Sequence, residues 1–260
     1  MKILVTFALE NEFAPWRAMH DFRAGKWGTE AAYFATIGAA EVGVILTGVG
    51  AERAGIATSG VIWGESETIG CCISSGLAGA LRPEYKIGQV LAARKVFVES
   101  LGKDTEQPSF ECKRELVSLA IEHGATAVDC FCTVDQVVAT AEEKHRLGEH
   151  SDAAEMESFD VLGEAEEFGI PAIAIRAISD TVDQDLPLDM NQVFTDEGKV
   201  SIPRVIGQIA LHPSSLAGLV RLGQHSASAA EALARFLDSY VQSVAVRTSG
   251  RVMNSTAAAG

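Results

Sequence analysis

The strongest constraint on this chain is an alternation of two hydrophobic patterns. Short apolar runs at residues 2–9, 42–47, 68–74, 89–93, 130–133 and 172–178 are separated by longer polar and amphipathic stretches. Runs of that length bounded by turn residues read as buried strands. Between them, residues 51–63, 114–123 and 158–168 carry apolar side chains at i, i+3 and i+4, the spacing of a helix with one face on a core. Strands alternating with helices predict an α/β domain with a mainly parallel sheet. After Pro203 the pattern is helical only: Ser214 and Ser215 offer an N-cap, Gly223 a stop, and a second helix is expected from Ser226. No internal repeat or linker interrupts the chain, so one domain is expected over residues 1–246, with residues 247–260 a small, polar and fraying tail.

Composition narrows the functions. The formal net charge of −14, from 35 acids against 21 bases, works against a nucleic-acid partner, because phosphate binding needs a basic surface. No apolar run approaches the roughly 18 residues of a membrane helix, so no membrane insertion is expected. The N-terminal MKILVTFALENEF lacks the longer apolar core of a secretory signal, and a cytoplasmic location is expected. The five cysteines, spaced CC and CxC, fit neither a zinc ribbon nor a redox pair and read as small buried hydrophobes. With the six histidines scattered, neither a metal nor a cofactor is expected.

In open α/β sheets ligands bind beyond the carboxyl ends of strands, so polar residues that follow apolar runs are the informative ones. Glu10-Asn11-Glu12, Thr47-Gly48-Val49-Gly50, the loop-like stretch from Ser74 to Ala80, and Ser179-Asp180 all qualify. Glu155-Met156-Glu157 adds two carboxylates where a helix is expected to begin. Each acid alone also fits a cap or a helix-dipole partner. Neither TGVG nor SSGLAGA matches a dinucleotide or P-loop fingerprint. Taken together, acids and small-residue loops from several strands would converge on one cleft.

The combination of ALENE, SSGLAGAL and AEMES followed by FGIPAIAIRAISD resembles the nucleoside phosphorylase and nucleosidase superfamily, and within it the 5′-methylthioadenosine/S-adenosylhomocysteine nucleosidases. The resemblance spans residues 1 to about 185. It implies a three-layer α/β/α sandwich with a mixed central sheet, a purine nucleoside substrate and a homodimer or higher oligomer. By resemblance, Asp180 protonates or hydrogen-bonds N7 of adenine and Glu12 holds the attacking water. Met156 and Glu157 contact the ribose, Val137 and Val138 line the base, and Arg176 helps to place the nucleophile. Val49, Ala78, Gly79 and Ser179 complete the expected substrate contacts.

The chemistry is self-consistent. Cleavage of an N-ribosidic bond passes through an oxocarbenium-like state, so an acid must neutralise the leaving purine while an anion steadies the sugar. The sequence departs from the nucleosidases at Leu77, where they commonly carry Ser. Its tail from Ser201 looks more like the hopanoid-associated phosphorylases, which act on adenosylhopane, and so leaves the 5′-substituent open. Phosphorolysis is the alternative, resting on Arg17, Arg53 and Arg176. Water is favoured because neither TFALENEF nor TIGCCISSG contains Arg and Glu12 would repel phosphate. Non-catalytic nucleoside binding is the third reading.

Overall fold

The computed structural model describes residues 2–99, 108–193, 195, 198, 201–211 and 215–257. β1 (Lys2–Phe7) leads into α1 (Glu10–Arg17), and a hairpin of β2 (Arg23–Trp27) and β3 (Glu30–Ile37) continues through β4 (Ala40–Leu46) to α2 (Ala51–Ile62). β5 (Ile69–Ala80), β6 (Val90–Val98) and the short β7 (Ser109–Glu111) precede α3 (Arg114–Glu122), β8 (Thr126–Thr133) and α4 (Ala141–Gly148). Then come β9 (Ala153–Glu155), α5 (Ser158–Glu167), β10 (Ala172–Asp180), α6 (Ile202–Leu211) and α7 (Leu216–Ala257).

The strands form one mixed sheet in the order β10-β6-β8-β9-β5-β1-β4-β3-β2, with β7 beside β6. β10 lies parallel to β5 and antiparallel to β6, so β5, β10, β6, β8 and β9 close on one another. α2 and α5 pack together as one helical layer, and α7 gathers α1 and α3 into another. This double cover explains the uninterrupted apolar runs, since a strand buried on both faces has no polar side to show. Every residue of β10 is buried, including Arg176 and Asp180.

Several elements differ from the sequence expectation. The hairpin β2–β3 was hidden because RAGKW and EAAYFATI are rich in Ala, Gly and Lys; its turn works because Gly28 takes φ 59°. The stretch from Ser74 to Ala80, read as a loop, continues β5 as strand. Gly223 does not end a helix, because α7 runs unbroken through it, from Leu216 to Ala257. Glycine inside a helix costs only about 1 kcal/mol, and the packing of α7 on α1, α3 and the sheet outweighs it. Of the two expected caps, Ser215 directly precedes α7 and Ser214 lies outside the described residues. All five cysteines are buried and free, and burial pushes the Cys72 thiol up to about 12. They behave as the small hydrophobes expected.

α4 is set close against the bend that follows β5. A Cβ on Gly148 would sit 2.1 Å from the Leu81 carbonyl oxygen, an atom of the main chain that cannot swing aside. Gly148→Ala should therefore destabilise the fold by about 1–3 kcal/mol through overpacking. A urea melt would show a lower midpoint, and an unchanged midpoint would mean that α4 moves freely against Leu81.

Candidate active site

The carboxyl ends of β1, β5 and β10 and the segments following β4, β8 and β9 meet at one cavity of about 200 Å³. Its walls include Glu12, Val49, Ala78, Gly79, Val137, Val138, Met156, Glu157, Ser179 and Asp180. Arg176, the remaining sequence-predicted residue, is fully buried and absent from the lining; it contacts Glu155 and Glu157 from behind the wall.

Glu12 is carried on the first turn of α1 and folds back on the chain that precedes it. Its carboxylate accepts from the amides of Ala8 at 3.1 Å and Leu9 at 3.0 Å, and from Leu77 on β5 at 3.2 Å. Burial pushes its carboxyl up, against the lowering effect of those amides and of Arg176. The glycines of β5 make room for the acids: a Cβ on Gly76 would lie 3.3 Å from Glu12 Oε1, and one on Gly79 would lie 2.9 Å from Asp180 Oδ2. The SSGLAGA composition is thus a strand kept thin where two carboxylates lie over it.

Glu155 and Glu157 share Arg176 unequally. Glu155 pairs closely with the guanidinium and with the Thr133 hydroxyl, and also accepts from the amides of Glu157 at 3.1 Å and Ser158 at 2.8 Å. It therefore closes β9 and caps α5, whereas the sequence placed both acids at a helix start. Glu157 is left with a longer contact to Arg176, 3.5 Å, and with the Gly50 amide at 3.1 Å. Gly50 can offer that amide at the start of α2 because it adopts φ 111°.

Asp180 ends β10, where the register with β5 slips between Ile178 and Asp180. Its Oδ1 accepts from the Ser179 hydroxyl at 2.8 Å and its Oδ2 from Lys144 at 2.5 Å. Lys144, from α4, has no counterpart in the sequence reading, because AEEKHRLG has the composition of a solvated helix face. Nor did the sequence identify Leu186, Met190, Leu222 and Ser226, which line the cavity from the segment after β10 and from α7. Across the cavity wall at Val137, Asn191 engages both backbone groups of that residue, at 2.7 and 3.3 Å. Among the described residues no group of acids, cysteines and histidines is arranged to hold a metal ion, and no helix is long and apolar enough to cross a membrane.

A family model described as the phosphorylase superfamily matches residues 2–209. A 5′-methylthioadenosine/S-adenosylhomocysteine nucleosidase of Shewanella sediminis (strain HAW-EB3) is 26% identical over 185 residues, covering 64% of this chain and 80% of that protein. The nucleosidase of the same name from Neisseria meningitidis, solved with methylthio-immucillin-A, has a TM-score of 0.69 at 21% identity, over 93% of this chain and 99% of that one. Futalosine hydrolase of Helicobacter pylori strain 26695 has a TM-score of 0.71 at 20% identity, over 94% and 98%. At these identities the structural likeness is one of fold.

The unequal sharing of Arg176 has a measurable consequence. Burial, reinforced by the charges of Glu155 and Glu12, pushes the Glu157 carboxyl from the ordinary 4.5 up to about 8, against the pull of Arg176 and the Gly50 amide. The folded protein then holds a proton that the unfolded chain releases, so this group's contribution to stability falls as pH rises from about 4.5 to about 8. Glu157→Gln cannot titrate. Its urea midpoint should fall less than that of the wild type over this window, and parallel pH profiles would contradict the assignment.

Proposed function

Because the chain belongs to the phosphorylase superfamily, we propose that it cleaves the N-ribosidic bond of a 5′-substituted adenine nucleoside with water as the nucleophile, releasing adenine. The observation that carries this reading is the charge and donor balance of the cavity. Glu12, Glu155, Glu157 and Asp180 line it, while Lys144 is the one cationic side chain among the described lining residues and is already bound to Asp180. Arg17 pairs with Glu10 at 2.6 Å, Arg53 is exposed, and Arg176 is committed to Glu155 and Glu157.

A phosphate dianion needs cations or a nest of amide donors. The amides of Gly48, Val49 and Gly50 are taken by the Ala8 carbonyl, the Gly198 carbonyl and Glu157, and the Leu77 amide by Glu12. A neutral water suits such a site better than an anion.

In this mechanism the carboxylic acid form of Asp180 gives its proton to N7, so that adenine leaves as a neutral base and a carboxylate held by Lys144 and Ser179 remains. Glu12 takes a proton from the attacking water, and its elevated basicity, set by burial, favours that transfer. Glu157 accepts from the ribose hydroxyls and Met156 packs on the sugar. As positive charge develops at C1′, these contacts tighten and lower the barrier. Val137 and Val138 flank the base, and Ala78, Gly79, Ser179 and Val49 shape the remaining wall. The 5′-substituent of methylthioadenosine or adenosylhomocysteine is the substrate class named for the relatives, and the same class is proposed here.

Adenine release should proceed from these nucleosides in phosphate-free buffer, with the free sugar as second product. Activity that appeared only on adding phosphate, with a sugar 1-phosphate formed, would replace hydrolysis by phosphorolysis. Asp180→Asn keeps the shape of the carboxyl group but cannot protonate N7, so kcat should fall by roughly 10²- to 10⁴-fold. An active Asn variant would remove Asp180 from the acid role.

A further inference from the structure

Lys144 is buried on a helix whose other charged residues, Glu142, Glu143, His145 and Arg146, are exposed. An ammonium taken out of water is costly unless it is paired and hydrogen-bonded. Here all three of its protons have an acceptor: Asp180 Oδ2 at 2.5 Å, the Gln184 carbonyl at 2.8 Å and the Thr181 carbonyl at 3.2 Å. A lysine so saturated has no proton left for a substrate anion. It acts on the cavity through Asp180.

We propose that Lys144 is a positioning residue for the acid that protonates the leaving base: it fixes the Asp180 carboxyl group against the turn after β10, oriented toward the purine both before and after the proton is given up. The proposal rests on the reading in which Asp180 protonates N7. Two donors, Lys144 on Oδ2 and the Ser179 hydroxyl on Oδ1, hold the carboxylate at both oxygens and oppose its rotation. Tethering of the turn alone does not need this lysine. His145 meets Asp183 at 2.9 Å, the Ala141 amide meets Asp185 at 2.8 Å, and the Leu186 amide meets the Ala139 carbonyl at 2.8 Å, all joining α4 or its lead-in to the same segment. What the buried ammonium adds to those links is the bond to the carboxylate.

The test compares Lys144→Met, Asp180→Asn and the double variant on methylthioadenosine and on its N7-methylated derivative. In the derivative the base is already cationic and leaves without a proton. Misplacing a catalytic group by about 1 Å costs up to roughly 10²-fold, so Lys144→Met should lower kcat on methylthioadenosine by roughly 10- to 100-fold, with KM little changed. On the methylated substrate its rate should stay close to wild type. The double variant should be no slower than Asp180→Asn, because residues acting as one unit do not multiply their losses.

Equal losses on both substrates, or losses that multiply in the double variant, would make Lys144 a structural residue and overturn the proposal. A selective loss in Asp180→Asn without one in Lys144→Met would also sink it, while leaving the role of Asp180 standing. If Asp180→Asn itself lost no more on methylthioadenosine than on the methylated substrate, the acid assignment would fail first. Should Lys144→Met not fold, Lys144→Gln keeps polar atoms near the same carbonyls without the charge, and the same comparison decides.

Discussion

The pair formed by Arg176 and Glu155 is the constraint around which the site is arranged. Both side chains are fully buried, and a lone charge at that depth would cost several kcal/mol. Arg176 sits in the middle of β10 and Glu155 at the end of β9. Through Thr133, Ser74 and the amides of Glu157 and Ser158, the pair also reaches β8, β5 and the start of α5. Replacing one member alone would strand the other and cost about 3–5 kcal/mol. The net contribution of the pair to stability is smaller, since its desolvation offsets most of the attraction. Its value lies in register: strands that are neighbours only in the closed sheet are fixed relative to one another where the cavity opens.

That pairing also sets the character of the acids that remain. Glu155 takes the short contact to Arg176 together with a hydroxyl and two amides, so its charge is satisfied by protein. Glu157, one residue beyond Met156, receives the remainder and faces the cavity with a carboxyl pushed up to about 8. Under the proposed function, the acid that holds the ribose is the one whose hydrogen bonds the protein has left incomplete. The hydroxyls of the sugar would complete them.

Much of this was legible from the chain because the same burial that makes a strand uniformly apolar also marks where it ends. β1 and β10 are covered on both faces, so the polar groups at their carboxyl ends, Glu10-Asn11-Glu12 and Ser179-Asp180, stand out, and Glu12, Ser179 and Asp180 line the cavity. Arg176 was assigned to the site but lies behind its wall, a distinction that depends on which face of β10 turns toward Glu155. Two features misled for physical reasons. Small residues in β5 imitate a loop until the acids packed over Gly76 and Gly79 are known. Gly223 imitates a helix stop, although tertiary packing carries α7 straight through it. Lys144 left no local signal at all, because its burial is decided by acceptors at positions 180, 181 and 184, more than thirty residues along the chain.

The two carboxylates assigned to proton transfer are held by different kinds of donor, and the difference matches their tasks. Glu12 is gripped by main-chain amides, which keep their protons and positions whether or not the carboxylate changes charge. Burial meanwhile makes the charged form less comfortable than in water. Under the proposed function, taking a proton from water would relieve that cost as the nucleophile forms. Asp180 is held by side chains, an ammonium on one oxygen and a hydroxyl on the other, and under the proposed function both would steady the carboxylate left once its proton has passed to the base. Under that reading both carboxyl groups are fixed, one by the main chain and one by charged and hydroxyl side chains, so that neither transfer would need to move the strands that carry them.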